Sequence, residues 1–206
     1  MPGRIVDVTA CAAGYVIGSI PVGVLLGWAL RGQDIRDHGS HSMGTTNVLR
    51  QLGPAAAAAT FALDVGKGSA AVALARGLRA DGVGQAAAGL AAMVGHSWPA
   101  FARFRGGKGV ATGFGVLLMV SPEASAYAVA GGLAALGVTR IVSVGSLTAC
   151  AATLLGAGME ESRTGNRIPL VFAGLATALV AARHSANIRR LLRGEEPRVS
   201  LRRRRP

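Results

Sequence analysis

From Val8 to Leu30 the chain carries no residue that is charged at neutral pH, and this run constrains the fold more than any other feature. A helix rising about 1.5 Å per residue needs about 20 apolar residues to cross the hydrocarbon of a bilayer. In that medium there is no water to bond to, so the backbone must satisfy its own N–H and C=O groups. Gly18, Pro21, Gly23 and Gly27 fall on the run, and such residues are tolerated where neighbouring helices pack closely. The whole chain agrees. It has 206 residues, is 50% hydrophobic and 16% charged, and has a mean hydropathy of +0.41. Soluble domains carry about 25% charge. The expected fold class is therefore an all-α integral membrane protein.

Six further segments repeat the pattern less cleanly. Pro54 to about Leu78 is a second span interrupted by Asp64 and Lys67, and Val83 to about Phe101 is a third. Val110–Val120 is apolar but short, Ser121-Pro122-Glu123 breaks it, and Ala124–Val138 is again short. These two read as a tight hairpin or a re-entrant pair, so short or broken helices are expected near residues 110–138. Ile141–Met159 is the sixth segment and Ile168–Ala182 the seventh. Seven transmembrane helices then form one polytopic domain over residues 1–182, and residues 183–206 read as a basic cytoplasmic tail. The N-terminal run lacks a convincing basic region or cleavage site and reads as a first span, not a removed leader.

Charge sets the orientation. The net charge is +12. Seven spans place Arg31, Arg36, Arg50, Arg103, Arg105, Lys108, Arg140 and the nine arginines from Arg183 onward on one side, sixteen cations in all. Arg4, Arg76, Arg79, Arg163 and Arg167 fall on the other. The positive-inside rule puts the larger set in the cytoplasm, with the N-terminus outside and the C-terminus inside. Arg202–Arg205 read as a topology anchor against anionic lipid. Nucleic acid is not an expected partner, because aromatic residues make up only 4% and the cations sit between apolar runs, not along one face. Cys11 and Cys150 lie inside apolar runs without metal-ligand spacing and read as buried small hydrophobes.

The connections assigned to the cytoplasm carry more than arginine. In Gly95–Thr112, GHSWPAFARFRGGKGVAT, the glycines beside Lys108 let backbone N–H groups converge on one point, and the ammonium adds a mobile charge. That suits a phosphate-bearing ligand; a basic topogenic loop is the plainer alternative. The connection from Asp34 to Arg50 offers hydroxyl and amide donors, two turn glycines, and an arginine able to grip an oxyanion in a fork. Thr45, Thr46 or Asn47 is placed to cap the next helix and leave its first N–H groups for an anion; an ordinary capped loop is the alternative. Asp64 and Lys67, three apart, share a helix face. Charges within a span read as functional by default, with a buried structural pair as the alternative. Ser143 opens the sixth segment. His184 and Asn187, also three apart, share a face at the end of the seventh, where a histidine otherwise simply caps helix carbonyls.

Several familiar motifs are missing. A Walker loop needs Ser or Thr after Gly-Lys, whereas Lys67 and Lys108 are each followed by glycine. No Gly-x-Ser-x-Gly elbow sits at a credible strand-to-helix turn. The acyltransferase signature with Asp five residues after His fails at His38, His41, His96 and His184, which have Met43, Thr46, Phe101 and Arg189 there.

Taken together, these residues resemble the bacterial acyl-phosphate:glycerol-3-phosphate acyltransferases of the PlsY type. The likeness covers nearly the whole chain: Gly18-Ser19-Ile20-Pro21; Gly39-Ser40 through Thr46-Asn47 and Arg50; Asp64 and Lys67-Gly68; Gly95-His96 to Thr112; Ser143; and His184 with Asn187. The resemblance implies a cytoplasm-facing site in a multi-pass cell-membrane protein. It implies transfer of a fatty acyl group from acyl phosphate to the 1-hydroxyl of glycerol 3-phosphate, giving lysophosphatidic acid and phosphate without metal, cofactor, acyl-CoA or acyl carrier protein. Partners would be these two substrates, membrane lipid and a soluble enzyme supplying acyl phosphate. Ser40, Arg50 and Lys108 with the Gly106-Gly107 backbone would cradle the donor's phosphate. Lys67, Ser143, His184 and Asn187 would hold glycerol phosphate, with Asp64 orienting Lys67. Thr46, Asn47 and His96 complete the expected binding set, and His184, Asn187 and Lys108 the catalytic one. The hydroxyl's proton would go to the donor's phosphate, with His184 as the competing base.

One departure stands out. After Ser40 the family pattern has Gly-Asn, whereas this chain has His41 and Ser42, losing backbone freedom and an amide. The alternatives from other classes are a transporter or lipid-phosphate flippase using the same cationic pocket, and a non-catalytic paralogue or scaffold.

Overall fold

The computed structural model describes residues 2–199, and every regular element among them is helical. Ten α-helices follow one another: α1 (Pro2–Gly18), α2 (Val22–Arg31), α3 (Thr45–Leu52), α4 (Pro54–Gly77), α5 (Gly82–Ser97), α6 (Val110–Val120), α7 (Pro122–Thr139), α8 (Val142–Thr164), α9 (Ile168–Arg183) and α10 (Ser185–Leu192). Leu25, Trp28, Leu63, Leu133, Leu155 and Val171 are exposed on the outer surface, the arrangement a lipid environment accepts.

Lipid offers no hydrophobic drive for helix association, so close packing through small residues takes its place. Gly14 and Gly18 of α1 lie so near the carbonyls of Ala88 and Ala92 that a β-carbon would overlap them. Gly115 of α6 approaches the Val65 carbonyl of α4 in the same way, and Gly68 of α4 approaches Thr112. Inside, Val72, Met93, Val116, Leu117, Phe172 and Val180 form the main apolar core.

Three segments are long and apolar enough to cross a membrane: Ile5–Arg31, Pro54–Gly77 and Val142–Thr164. The pair α9 and α10, bent by 65° at His184, makes a fourth if taken as one span. The first run is thus broken between Gly18 and Val22, because Pro21 has no N–H to continue the helical ladder. The third segment ends earlier than expected, at Ser97, because Trp98 precedes Pro99 and that position disfavours helical backbone. The sixth runs further, to Thr164. The expected irregularity at 110–138 is present in its first part, where α6 has 11 residues, about 16 Å against a hydrocarbon core of about 30 Å, whereas α7, with 18 residues, is longer than expected. A break at Ser121-Pro122 follows α6, where the Ser121 hydroxyl accepts from the Ala124 N–H at 3.0 Å.

The segment expected as a basic tail from residue 183 is, over its described part, folded against the helices. After α10 the chain turns back, and the Val199 N–H donates to the Arg140 carbonyl at 2.7 Å. The Arg202–Arg205 anchor and the Arg4 side chain lie outside the described residues. Cys11 and Cys150 are both free thiols and half-buried.

Candidate active site

The break in the first run takes the Ile20 carbonyl out of the regular helical ladder and leaves it a turn contact from the Val22 N–H at 3.0 Å, and this carbonyl explains a charge buried within α4. Lys67 Nζ donates to the Ile20 carbonyl at 3.0 Å and pairs with Asp64 Oδ1 at 2.7 Å. His96 Nδ1 of α5 lies 3.5 Å from the same carboxylate oxygen. All three side chains are buried. Lys67 was expected to hold glycerol phosphate; its ammonium is engaged by the Ile20 carbonyl and by Asp64, directly behind the lining of the cavity described next.

Every other expected site residue lines one polar cavity of about 670 Å³. Ser40, Thr46, Asn47 and Arg50 come from the first connection and α3, Asp64 from α4, and His96 from α5. Gly106, Gly107 and Lys108 come from the glycine-lysine loop, Ser143 from the start of α8, and His184 and Asn187 from the α9–α10 junction.

The first connection is shaped by Asn47. Its side chain is buried, its Nδ2 donates to the carbonyls of Ile35 and Ser42 at 2.8 Å and lies 3.2 Å from that of His38, and its Oδ1 accepts from the Ser40 N–H at 3.0 Å. Asn47 therefore positions Ser40; its amide has no donor left for substrate. Nor do Thr45, Thr46 or Asn47 cap the helix, since α3 already begins at Thr45 and Gly44 holds the cap position without a side-chain bond.

A residue not foreseen, Arg36, fastens this connection to the next. It is buried, bonds both oxygens of Asp34, and donates through Nη1 to the carbonyls of Ala102 at 2.6 Å and Arg105 at 2.9 Å. Its hydrogen bonds hold the Asp34 carboxyl below the usual carboxylate range. The Arg36 carbonyl in turn lies 2.9 Å from His41 Nδ1. His41 has φ +53°, a left-handed conformation that costs a residue with a β-carbon about 1–2 kcal/mol.

The glycines of the second connection work differently from the expected converging amides. The Gly107 N–H is taken by the His96 carbonyl at 3.1 Å, and the Gly107 carbonyl accepts from Arg183 Nε at 3.1 Å. A β-carbon on Gly107 would overlap His96 Nε2, and one on Gly106 would overlap the His96 carbonyl. The two glycines thus make room for the buried histidine, and the loop's shape presents Lys108. Burial pushes the Lys108 ammonium down to about 8; Arg190, Arg50 and Arg183 push the same way and Glu196 opposes them. Arg183, also unforeseen although it adjoins His184, lies with its guanidinium 5.1 Å from the centre of the Trp98 ring.

At the α9–α10 bend, His184 and Asn187 are not on one continuous helix; the bend brings both side chains to the cavity. His184 Nδ1 is 2.8 Å from the Val180 carbonyl. A carbonyl only accepts, so Nδ1 carries the hydrogen and Nε2 is the nitrogen left for other contacts. The third unforeseen residue is Glu196. Its Oε1 accepts from Ser143 Oγ at 2.7 Å and Asn187 Nδ2 at 2.5 Å, and its Oε2 from Arg190 Nε at 2.7 Å. Burial disfavours its charge, but Asn187, Ser143 and Arg190 outweigh that and hold the carboxyl below the usual range.

A second, apolar cavity of about 440 Å³ runs among α4 to α9, lined by side chains such as Phe114, Leu117, Leu133, Leu136 and Phe172. Phe61, Val110, Val142 and Ser146 line both cavities, so the polar chamber and the apolar groove meet. A cationic chamber joined to an apolar groove within an all-helical membrane fold defines a class: integral membrane proteins suited to a compound with a phosphate head and a hydrocarbon tail.

Known proteins narrow this further. The model of the glycerol-3-phosphate acyltransferase family matches residues 8–194. A glycerol-3-phosphate acyltransferase of Anaeromyxobacter sp. (strain Fw109-5) is 45% identical over 206 residues, covering 97% of this chain and 99% of the relative. Another, from Symbiobacterium thermophilum, is 43% identical over 194 residues, covering 94% and 95%. Among solved structures, PlsY, an integral membrane glycerol 3-phosphate acyltransferase, matches in its glycerol 3-phosphate form with a TM-score of 0.85 and 34% identity, over 94% of this chain and 96% of that one. Its lysophosphatidic acid form matches with a TM-score of 0.83 and 32% identity, over 94% and 95%. The chain belongs to the glycerol-3-phosphate acyltransferase family and is an acyltransferase of phospholipid synthesis.

Proposed function

We propose that this chain moves a fatty acyl group from acyl phosphate to the 1-hydroxyl of sn-glycerol 3-phosphate, releasing lysophosphatidic acid and inorganic phosphate. The observation that supports this donor most directly is the junction of the two cavities at Phe61, Val110, Val142 and Ser146. A donor with its phosphate in the polar chamber and its chain in the groove has its carbonyl carbon at that junction. Ser40, Thr46, Arg50 and Lys108 hold the donor's phosphate. Ser143, His184 and Asn187, with Arg183, hold glycerol 3-phosphate. Asn47, Arg36, Asp64 and His96 keep these walls in place.

The acyl group arrives activated, so no protein nucleophile is needed. The 1-hydroxyl oxygen forms a bond to the carbonyl carbon, the bond from that carbon to the bridging oxygen breaks, and phosphate leaves with the electron pair. The hydroxyl proton passes to the departing phosphate, while His184 Nε2 orients the hydroxyl. The protein's contribution is positioning and charge stabilisation. Seven helical passes, with α1–α2 counted as one and α6 as a short pass, put the N-terminus outside and this chamber in the cytoplasm of a bacterial cell. There a soluble enzyme supplies acyl phosphate.

Purified protein in detergent or lipid cubic phase tests the proposal directly. Phosphate release must require both acyl phosphate and glycerol 3-phosphate and must collapse in Lys108→Ala. No release, with the variant indistinguishable from the parent, overturns the assignment.

A further inference from the structure

Among the described residues five non-glycine positions have positive φ, and His41 is the one of these that lines the polar cavity. Glycine adopts that conformation without strain, so the imidazole is present at the expense of a relaxed backbone. The ring is also aimed. Nδ1 lies 2.9 Å from the Arg36 carbonyl, which only accepts, so Nδ1 bears the hydrogen and Nε2 remains. Arg36 is itself immobilised by Asp34 and by the Ala102 and Arg105 carbonyls, so the ring is referenced to both connections around the chamber.

The surrounding backbone makes a side-chain donor useful here. The Ser40 N–H is spent on Asn47 Oδ1, the His41 N–H bonds the His38 carbonyl at 3.3 Å, and the Gly44 N–H faces Ser42 Oγ at 3.3 Å. These three amides are turned inward, so an anion on this wall is left to the N–H groups of Ser42, Thr45 and Thr46 and to side chains.

We infer that His41 is a substrate-binding residue of this chain, its Nε2 hydrogen-bonding the phosphate of the acyl donor. The bond is made by the doubly protonated ring, with Nδ1–H on the Arg36 carbonyl and Nε2–H on a phosphate oxygen; the second proton is taken from water as the phosphate binds, and no bond between heavy atoms is made or broken. The inference rests on the proposed placement of the donor's phosphate against Ser40 and Arg50.

Three variants of the full-length protein separate this role from a purely structural one. His41→Gly removes ring and strain together. His41→Asn tolerates left-handed backbone and sets an amide where Nδ1 was, keeping the Arg36 contact but losing Nε2. His41→Gln reaches toward the Nε2 position. Two quantities are read: KM for a long-chain acyl phosphate, and the dissociation constant for inorganic phosphate from calorimetry, which needs no turnover. Expected is an increase of about five-fold in both for His41→Gly and His41→Asn, the order of factor that one hydrogen bond carries. Partial recovery in His41→Gln, a KM for glycerol 3-phosphate within two-fold, and a melting temperature for His41→Gly no lower than the parent's complete the expectation. A His41→Asn protein that matches the parent while His41→Gly is impaired overturns the inference, since the ring then serves only the Arg36 carbonyl. Unchanged phosphate affinity in both also overturns it. If the parent turns over no acyl phosphate yet phosphate affinity drops in both variants, the His41 contact stands and the acyl-transfer reading falls.

Discussion

Lys108 supplies a test in which the magnitude follows from the structure. Its ammonium is half-buried, and burial lowers its pKa from the ordinary 10.5 to about 8, with three nearby arginines acting in the same direction and Glu196 in the other. A group with that pKa is charged about ten to one at pH 7 and about one to ten at pH 9. If the ammonium holds the donor's phosphate, kcat/KM for acyl phosphate, which reports the free enzyme, falls about ten-fold per pH unit above pH 8. The kcat profile breaks at higher pH, because a bound dianion stabilises the charged lysine. Initial rates of phosphate release between about pH 6 and pH 10, corrected for uncatalysed hydrolysis, give both profiles. Lys108→Arg stays charged throughout and loses the break whatever its absolute rate. A parent profile flat from pH 7 to pH 10, or the same break in Lys108→Arg, refutes the reasoning.

The same shift has a sign for stability. The native lysine releases its proton more readily than the lysine of the unfolded chain. Below about pH 8 both states are charged, and the cost of burying the charge stands in full. Between about pH 8 and 10.5 the unfolded chain holds more protons, so stability rises with pH through that window. Lys108→Met therefore melts above the parent at pH 7, and inorganic phosphate raises the parent's melting temperature more than the variant's.

Other substitutions probe the supporting residues. Gly107→Ala drives a methyl into His96 Nε2 and displaces the loop that presents Lys108; kcat/KM falls about 100-fold, and adding His96→Ala recovers part of it in the same assay. Asp64→Asn leaves Lys67 buried without a counter-charge and destabilises the protein by about 3–5 kcal/mol, read by chemical denaturation in detergent, with partial recovery in Asp64→Asn/Lys67→Met. His184→Gln retains turnover within about 100-fold of the parent; a greater loss, with binding of glycerol 3-phosphate intact, makes His184 the obligatory base.

The helical membrane fold was legible because bilayer thickness dictates a run length, and Val8–Leu30 and Pro54–Leu78 meet it. Where packing decides, the pattern was silent. Nothing in the spacing of Pro21 and Lys67 announces that one breaks a helix and the other caps the resulting carbonyl. The same holds for Gly106 and Gly107. Two glycines beside a lysine read as an anion nest, and the fold uses them to admit the His96 ring from another helix. Residue types suited to phosphate were recognisable at Ser40, Arg50, Lys108, Ser143, His184 and Asn187, because that chemistry belongs to the side chain itself. Arg36, Arg183 and Glu196 were not, because each acts through contacts at long range in sequence or through a turn with no periodicity. Glu196 is the clearest case: it lies within a basic segment, and only the reversal after α10 returns it to Ser143 and Asn187.

That carboxylate bears on how the chamber balances charge. Arg50, Lys108, Arg183 and Arg190 line it, opposed by Glu196, while the Asp64 charge is met by Lys67 from behind. The free chamber is thus strongly cationic, and two phosphoryl groups of about −2 each reverse that excess when both substrates are present. Either substrate alone leaves the chamber close to neutral or still positive, with Lys108 under less repulsion than before. The first phosphate to bind therefore strengthens the ammonium's hold on a proton, and the second finds a chamber still carrying it. Glu196 limits the empty chamber's self-repulsion, acting on Lys108 through space while its oxygens are bonded by Ser143, Asn187 and Arg190. A chamber built in this way favours dianions over neutral lipid headgroups, and it draws its selectivity from charge as much as from shape.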